Sequence, residues 1–220
     1  IGNLRLAIAP SGKRIAFIGP DGTDDALWVR DLDQPSGSML ADTKGAFAPF
    51  FSPDGQSLGY FTTSSGRTIL KVIAVSGGVS RTVAGDSVAS FGGGDWGDDG
   101  QIYFTHSTRG LARVAPSGGK VTVLSVPDSA HGVLEHDYPD VLPGSRHALV
   151  MLWKGAIGSN QVGLIDLKTG AATELTPGSM ARYMPPCLRA SGGADGRLLL
   201  ARFDREAGKL QETPALIMQH

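Results

Sequence analysis

The sequence predicts an all-β fold, a β-propeller of about five four-stranded antiparallel blades, and three observations carry that prediction. A Pro/Asp/Gly turn recurs at Ala9-Pro10-Ser11-Gly12, Ser52-Pro53-Asp54-Gly55, Gly97-Asp98-Asp99-Gly100 and Leu142-Pro143-Gly144-Ser145, with a degraded fifth repeat at Tyr183-Met184-Pro185. Taking Pro10, Pro53, Asp98, Pro143 and Pro185 as equivalent anchors spaces the repeats by 43, 45, 45 and 42 residues. Each repeat holds short apolar runs separated by turn residues, and a period of roughly 40–45 residues with four strands marks a propeller blade. The 31 glycines and 13 prolines suit many short strands joined by tight turns. No segment sustains the 3.6-residue apolar spacing of a helix, so no helix is predicted.

The chain reads as one domain over residues 1–220, with blades near 1–44, 45–88, 89–133, 134–177 and 178–220. Blade 1 offers strands at 4–8, 14–18 and 26–32, and a weak fourth around 38–41. Blade 2 offers 48–51, 57–61, 69–75 and 80–83, the last two joined by Ser76-Gly77-Gly78, a turn that needs residues tolerant of positive φ. Blade 3 offers 95–96, 101–105, 110–114 and 121–124, with Ser117-Gly118-Gly119 as the matching turn. Blade 4 offers 138–142, 147–152, 161–167 and 172–175, with a hairpin at Lys168-Thr169-Gly170. Blade 5 offers 182–184, a poor strand at 187–188, then 196–204 and 214–218, broken by Gly192-Gly193-Ala194-Asp195-Gly196.

Both faces of a blade must be covered, and stacking blades around an axis covers them. The position two residues before the anchor is apolar in every repeat: Ile8, Phe51, Trp96, Val141 and Tyr183. These are expected to pack blade against blade. An aromatic ligand platform of Phe51, Trp96 and Tyr183 is the rival, disfavoured because the pattern persists in repeats without aromatics.

Composition narrows the function. Lys+Arg number 20 against 21 Asp+Glu, a balance unlike the basic stripe of a nucleic-acid binder. No run of 18 apolar residues exists, so no membrane span is expected, and no signal peptide opens the chain. The single cysteine, Cys187, has no internal partner and does not fix the compartment.

In a propeller the inner strand of each blade lines the central channel, and equivalent residues sit at similar height. Three residues before the anchor stand Ala7, Phe50, Asp95, Asp140 and Arg182. Asp95, Asp140 and Arg182 are therefore expected to be neighbours on consecutive blades. Two facing carboxylates bind a hard cation such as Ca²⁺ or raise one another's pKa; alternatively, Arg182 neutralises them. Blade 4 adds Glu135, His136 and Asp137, with His131 nearby, and imidazole plus carboxylate suits Zn²⁺. Adjacent residues on a strand point to opposite faces, which works against His136 and Asp137 acting together. The candidate ligand-binding set is thus Asp95, Asp140, Arg182, His136 and Tyr138, and the candidate metal set Asp95, Asp140, His136 and Asp137, for Ca²⁺ or Zn²⁺.

Other motifs carry less. Gly92-Gly93-Gly94 lacks the Lys-Ser/Thr of a phosphate loop. Asp21-Gly22-Thr23-Asp24-Asp25 reads as a hairpin loop, His106 and His147 as polar surface residues, and no Gly-x-Ser-x-Gly elbow is present. No catalytic residue is recognised.

The stretches Phe50-Phe51-Ser52-Pro53-Asp54-Gly55-Gln56-Ser57-Leu58-Gly59-Tyr60-Phe61, Asp95-Trp96-Gly97-Asp98-Asp99-Gly100, Val141-Leu142-Pro143-Gly144 and Met180-Ala181-Arg182-Tyr183-Met184-Pro185 resemble the TolB-like, WD-type propeller. That propeller forms the extracytoplasmic C-terminal part of some bacterial Ser/Thr protein kinases and occurs in related secreted proteins. The resemblance covers nearly the whole chain. It implies a bacterial sensing or scaffold module, periplasmic or extracellular, with no catalytic residues to carry over. The chain departs from the family at Glu135-His136-Asp137-Tyr138-Pro139, where a Ser-His-Arg-Trp-Pro-like stretch is usual, and at the glycine-rich interruption of blade 5. Family propellers are typically six-bladed or longer. Five repeats leave two alternatives: a five-bladed ring, or a fragment whose open edges meet something else, including a second copy through the terminal blades.

The expected function is binding of a protein or small molecule at the channel mouth. The alternative is a divalent-metal-dependent hydrolase whose channel-bound cation activates water. A purely structural module of a longer chain is the third reading.

Overall fold

The computed structural model describes residues 5–89, 92–191 and 196–219. Five antiparallel sheets follow one another along the chain. Blade 1 holds β1 (Leu6–Ile8), β2 (Arg14–Asp21), β3 (Asp24–Asp31) and β4 (Ser38–Met39); blade 2 holds β5 (Phe47–Phe51), β6 (Ser57–Ser64), β7 (Arg67–Ala74) and β8 (Arg81–Ala84). Blade 3 holds β9 (Gly94–Trp96), β10 (Ile102–Thr105), β11 (Leu111–Val114) and β12 (Thr122–Val123). Blade 4 holds β13 (Glu135–Val141), β14 (His147–Trp153), β15 (Gln161–Asp166) and β16 (Ala172–Pro177). Blade 5 holds β17 (Ala181–Met184), β18 (Cys187–Ser191) and β19 (Leu198–Asp204), with both β20 (Lys209–Leu210) and β21 (Ala215–Met218) paired to β19. The all-β propeller arrangement is as the repeat requires. Two single-turn 3-10 helices, Ser129–His131 and Ile157–Ser159, were not expected and are too short to leave a periodicity.

The four full anchor turns close identically. Gly12, Gly55, Gly100 and Ser145 donate their N–H to the carbonyls of Ala9, Ser52, Gly97 and Leu142 at 2.8–3.0 Å. In blade 2, Asp54 accepts from the Ser52 hydroxyl (2.6 Å) and the Gln56 N–H (2.9 Å), which locks the turn through its own side chain. β6 and β7 turn on Ser65 and Gly66, both with positive φ, as a two-residue hairpin demands.

Apart from small shifts at strand ends, three features differ from expectation. β13 begins at Glu135 rather than 138 because a bulge lets the strand continue past Tyr138. β18 is a full strand whose Leu188 and Ala190 alternate toward blade 4. His147 is buried on β14, not a surface residue. Leu4, expected to open the first inner strand, and Gly192-Gly193-Ala194-Asp195, expected to interrupt blade 5, lie outside the described residues.

Apolar clusters fill the spaces between blades 1 and 2, 2 and 3, 3 and 4, and 4 and 5. Phe51, Trp96, Val141 and Tyr183 each join the cluster with the preceding blade, as blade-to-blade packing requires. Ile8 departs from this role: it is 61% exposed, and among the described residues no other blade packs on it. The position one residue before the anchor faces the following blade and is buried as Ala9, Ser52 and Leu142, yet its blade 5 equivalent Met184 is 52% exposed. Among the described residues no apolar cluster joins blade 5 to blade 1. Among these residues neither the outward face of blade 1 nor that of blade 5 is packed against another blade.

Candidate functional site

The inner strands β1, β5, β9, β13 and β17 adjoin in sequence around the axis. Three of them share a kink. Ala48 (φ 46°), Gly93 (φ 67°) and Tyr138 (φ 52°) stand five residues before Pro53, Asp98 and Pro143, so a left-handed residue recurs at one repeat position. Glycine occupies that conformation freely, but Ala48 and Tyr138 hold it at a cost of about 1–3 kcal/mol each, strain of the kind that collects at ligand clamps. At Gly93 a Cβ would lie 3.2 Å from the Tyr138 ring, so the missing side chain lets blade 4 approach. The Tyr138 N–H then donates to the Gly92 carbonyl at 2.6 Å across the blade boundary.

The expected charged layer forms. Arg182 Nη1 donates to Asp140 Oδ1 and to the Pro139 carbonyl, both at 3.2 Å. Asp95 and Asp140 also serve a purpose that spacing alone did not reveal. Asp95 Oδ2 accepts the N–H of Val141, and Asp140 Oδ2 accepts the N–H of Tyr183, both at 2.7 Å. Each carboxylate thus latches its blade to the backbone of the next at one repeat-equivalent position. Burial, and then the negative charge of Asp140, push the Asp95 carboxyl up to about 7 against the pull of Arg182. Burial likewise pushes Asp140 up, with Arg182 opposing. Arg182→Ala is expected to destabilise the protein by about 1.5–3 kcal/mol, the worth of a hydrogen bond to a charged group, read from the denaturation midpoint at pH 7. An unchanged midpoint would mean that Arg182 does not stabilise Asp140.

The other predicted residues lie at the start of β13. His136 is 1% exposed and its Nδ1 sits 2.8 Å from Ser125 Oγ; burial lowers its pKa to about 4, so the ring is neutral at physiological pH. Ser125 Oγ in turn accepts the Leu111 N–H, so the imidazole braces blade 4 against blade 3. Tyr138 is buried as well. His131 stands apart, exposed and held by Asp128 at 2.6 Å. Glu135 pairs with Arg109 from the β10–β11 loop.

Asp137 differs from all of these. It is 7% exposed, and its Oδ1 has no hydrogen-bond partner. Burial pushes its carboxyl up to about 7, although Thr105 and Arg109 pull it down. Thr105 also bridges the blades, its hydroxyl lying 2.9 Å from the Gly92 carbonyl and 3.0 Å from that of His136. Thr105, Ser125 and Arg109 were not singled out by sequence, and nothing in their residue types or spacing sets them apart. The predicted metal set is not gathered: among the described residues no three His, Cys, Asp or Glu side chains converge as ligands. His136 turns to Ser125, while Asp95 and Asp140 are committed to backbone N–H groups. Nor do Phe51, Trp96 and Tyr183 form a platform, since each is packed in a different inter-blade cluster.

No family model matches the chain, and no curated protein matches it in sequence. Solved structures do match in fold. TolB from Acinetobacter baumannii superposes with a TM-score of 0.75 at 20% identity, over 98% of this chain and 56% of that one. The β-propeller domain of Cps50 (Swd1) from Myceliophteria thermophila gives 0.68 at 14% identity, over 100% and 72%. The PQQ-bound aldose sugar dehydrogenase of Streptomyces coelicolor gives 0.68 at 13% identity, over 99% and 81%. The chain thus spans little more than half the length of the TolB structure. At these identities the likeness is one of fold, and propellers with different functions share it. Among the described residues no helix is long and apolar enough to cross a membrane.

Proposed function

We propose that the chain is a bacterial binding module of periplasmic or extracellular location, and that its site is the channel mouth of blades 3 to 5. The ligand, a small molecule or a protein side chain, presents a cationic hydrogen-bond donor such as a guanidinium or ammonium group. The observation that carries this reading is the buried Asp137 Oδ1, an acceptor without a donor. Buried polar atoms are nearly always paired, and an unpaired one calls for a partner. The strained Tyr138 backbone follows Asp137 directly and ties this part of β13 to blade 3 through the Gly92 carbonyl. Rigid strands hold these groups, as a preorganised site requires. The hydrolase reading has less support, because the candidate ligands are spent on Ser125 and on backbone N–H groups.

Melting curves with agmatine, which carries one guanidinium and one ammonium group, test the reading. Agmatine is expected to raise the melting temperature of the wild type and not of Asp137→Asn, since a ligand that binds only the folded state stabilises it. A rise with Ca²⁺ or Zn²⁺ that chelator reverses, and none with agmatine, would favour the metal-dependent alternative.

A further inference from the structure

One face of β13 carries two carboxylates. The register Glu135↔Trp153, His136↔Leu152 and Asp137↔Met151 runs without a break, so Glu135 and Asp137 share a face and His136 takes the other. His136 turns to Ser125 of blade 3, whereas Leu149, on the same side of β14 as Met151, packs against blade 5. The Glu135–Asp137 face is therefore the blade 5 side. Residues i and i+2 of a strand stand about 6.6 Å apart, and the two carboxyl groups start from that separation.

Blade 3 reaches this face around the unpaired edge of β13. The β10–β11 turn closes on Arg109, at φ 73°, whose N–H donates to the His106 carbonyl at 2.7 Å. The Arg109 carbonyl accepts the His136 N–H at 2.8 Å, so the turn lies along the β13 edge. From there the guanidinium pairs with Glu135, and its charge also acts on Asp137 without any bond to Oδ1. Lys154, the next basic residue along the chain, is taken by Glu174 on β16. Among the described residues, Arg109 is the cation whose charge acts on Asp137. One guanidinium thus serves two carboxylates, and a buried carboxylate without a full set of partners is costly.

The floor between the carboxylates is apolar. Met151 and Trp153 stand directly across from Asp137 and Glu135, with Cβ atoms about 5 Å away. Met151 is buried and Trp153 partly so. An indole face attracts ammonium and guanidinium groups, and a thioether packs well on methylene groups. Asp137 is closed in, so a ligand reaches it only when a neighbouring side chain moves. Thr105, Tyr138 and Met151 are buried, whereas the Arg109 side chain is 61% exposed and has room to swing away.

We infer that the ligand of this site is a small dication, two ammonium or guanidinium groups on a short hydrocarbon chain, with Asp137 holding one end and Glu135 the other, and that Arg109 is the built-in competitor displaced from Glu135. With C–C bonds of about 1.5 Å, a linker of four or five methylene groups covers the span along Met151 and Trp153. The inference rests on the reading of Asp137 above and adds Glu135 and Arg109 as specificity-determining residues.

Isothermal titration at pH 8, where Asp137 is ionised, tests it with putrescine, a four-carbon diamine, against butylamine, its single-amine counterpart. The wild type is expected to bind putrescine about five-fold tighter than butylamine, the worth of one further ion pair. Glu135→Gln should bring putrescine down to the affinity of butylamine. Arg109→Gln should tighten putrescine by about two- to five-fold, since no guanidinium has to be displaced. The double variant Arg109→Gln/Glu135→Gln, which leaves neither charge unpaired, should bind the two amines alike. Equal affinities in the wild type, a putrescine preference that survives in Glu135→Gln and in the double variant, or unchanged or weaker binding in Arg109→Gln would each overturn the inference. If both amines then still bind and Asp137→Asn loses both, the Asp137 reading stands without it. No saturable heat from either amine, in the wild type or in Arg109→Gln, would overturn both.

Discussion

Phe61→Ala is expected to destabilise the protein by about 3–5 kcal/mol, the usual cost of truncating a buried phenylalanine. Phe61 is 2% exposed and lies between two blades: its ring packs with Phe47 at 5.9 Å and Phe50 at 6.1 Å, and a Cβ at Gly94 of blade 3 would come within 3.0 Å of it. Removing it opens a cavity that the flanking sheets are too rigid to fill. For a chain of this size each kcal/mol moves the melting temperature by about 2–4 °C, so the transition should fall by about 6–20 °C. Trp96→Ala should cost less, since Trp96 is only partly buried at the edge of the same cluster. A Phe61→Ala protein that melts within a degree of the wild type would show that the blades are held by something other than these clusters.

Asp137→Asn is expected to act in the opposite direction above neutral pH. A carboxyl whose pKa is about 7 in the folded chain and about 4 when unfolded holds its proton more tightly when folded. Its contribution to stability is complete below pH 4 and is lost as pH rises through 7. At pH 8 the wild type carries a buried carboxylate without a partner for Oδ1, and asparagine removes that charge. The gain is at most about 4 kcal/mol, at 1.36 kcal/mol per pH unit, and should vanish near pH 4–5. Thermal melts at pH 4.5 and pH 8 read it directly. Equal effects at both values would mean that Asp137 titrates normally and is not buried as described.

The fold was legible because a repeat constrains itself. The anchors at Pro10, Pro53, Asp98 and Pro143 all became the same hydrogen-bonded turn, and the shared position of Asp95, Asp140 and Arg182 brought them within electrostatic reach of one another. What could not be read was how these carboxylates are used. An N–H is present at every residue but proline, so no residue type announced that Val141 and Tyr183 would donate to the preceding blade. The recurring left-handed kink was hidden because Ala48 and Tyr138 are not residues that prefer it, and only Gly93 hinted at it. His136 appeared as a ligand because imidazole with a carboxylate suits Zn²⁺, yet burial and Ser125 assign it to packing. Ile8 matched its equivalents in type, but exposure depends on what lies beside a blade, which one chain's pattern does not encode.

The central claim is that the channel mouth holds a carboxylate reserved for a cationic donor. Isothermal titration of agmatine into the wild type and Asp137→Asn at pH 6 and pH 8 tests it most directly. Saturable binding is expected at pH 8, where Asp137 is ionised, weakening several-fold at pH 6 as the carboxyl takes up a proton, and absent from Asp137→Asn at both. No saturable heat in the wild type, or equal affinity in Asp137→Asn, would contradict it.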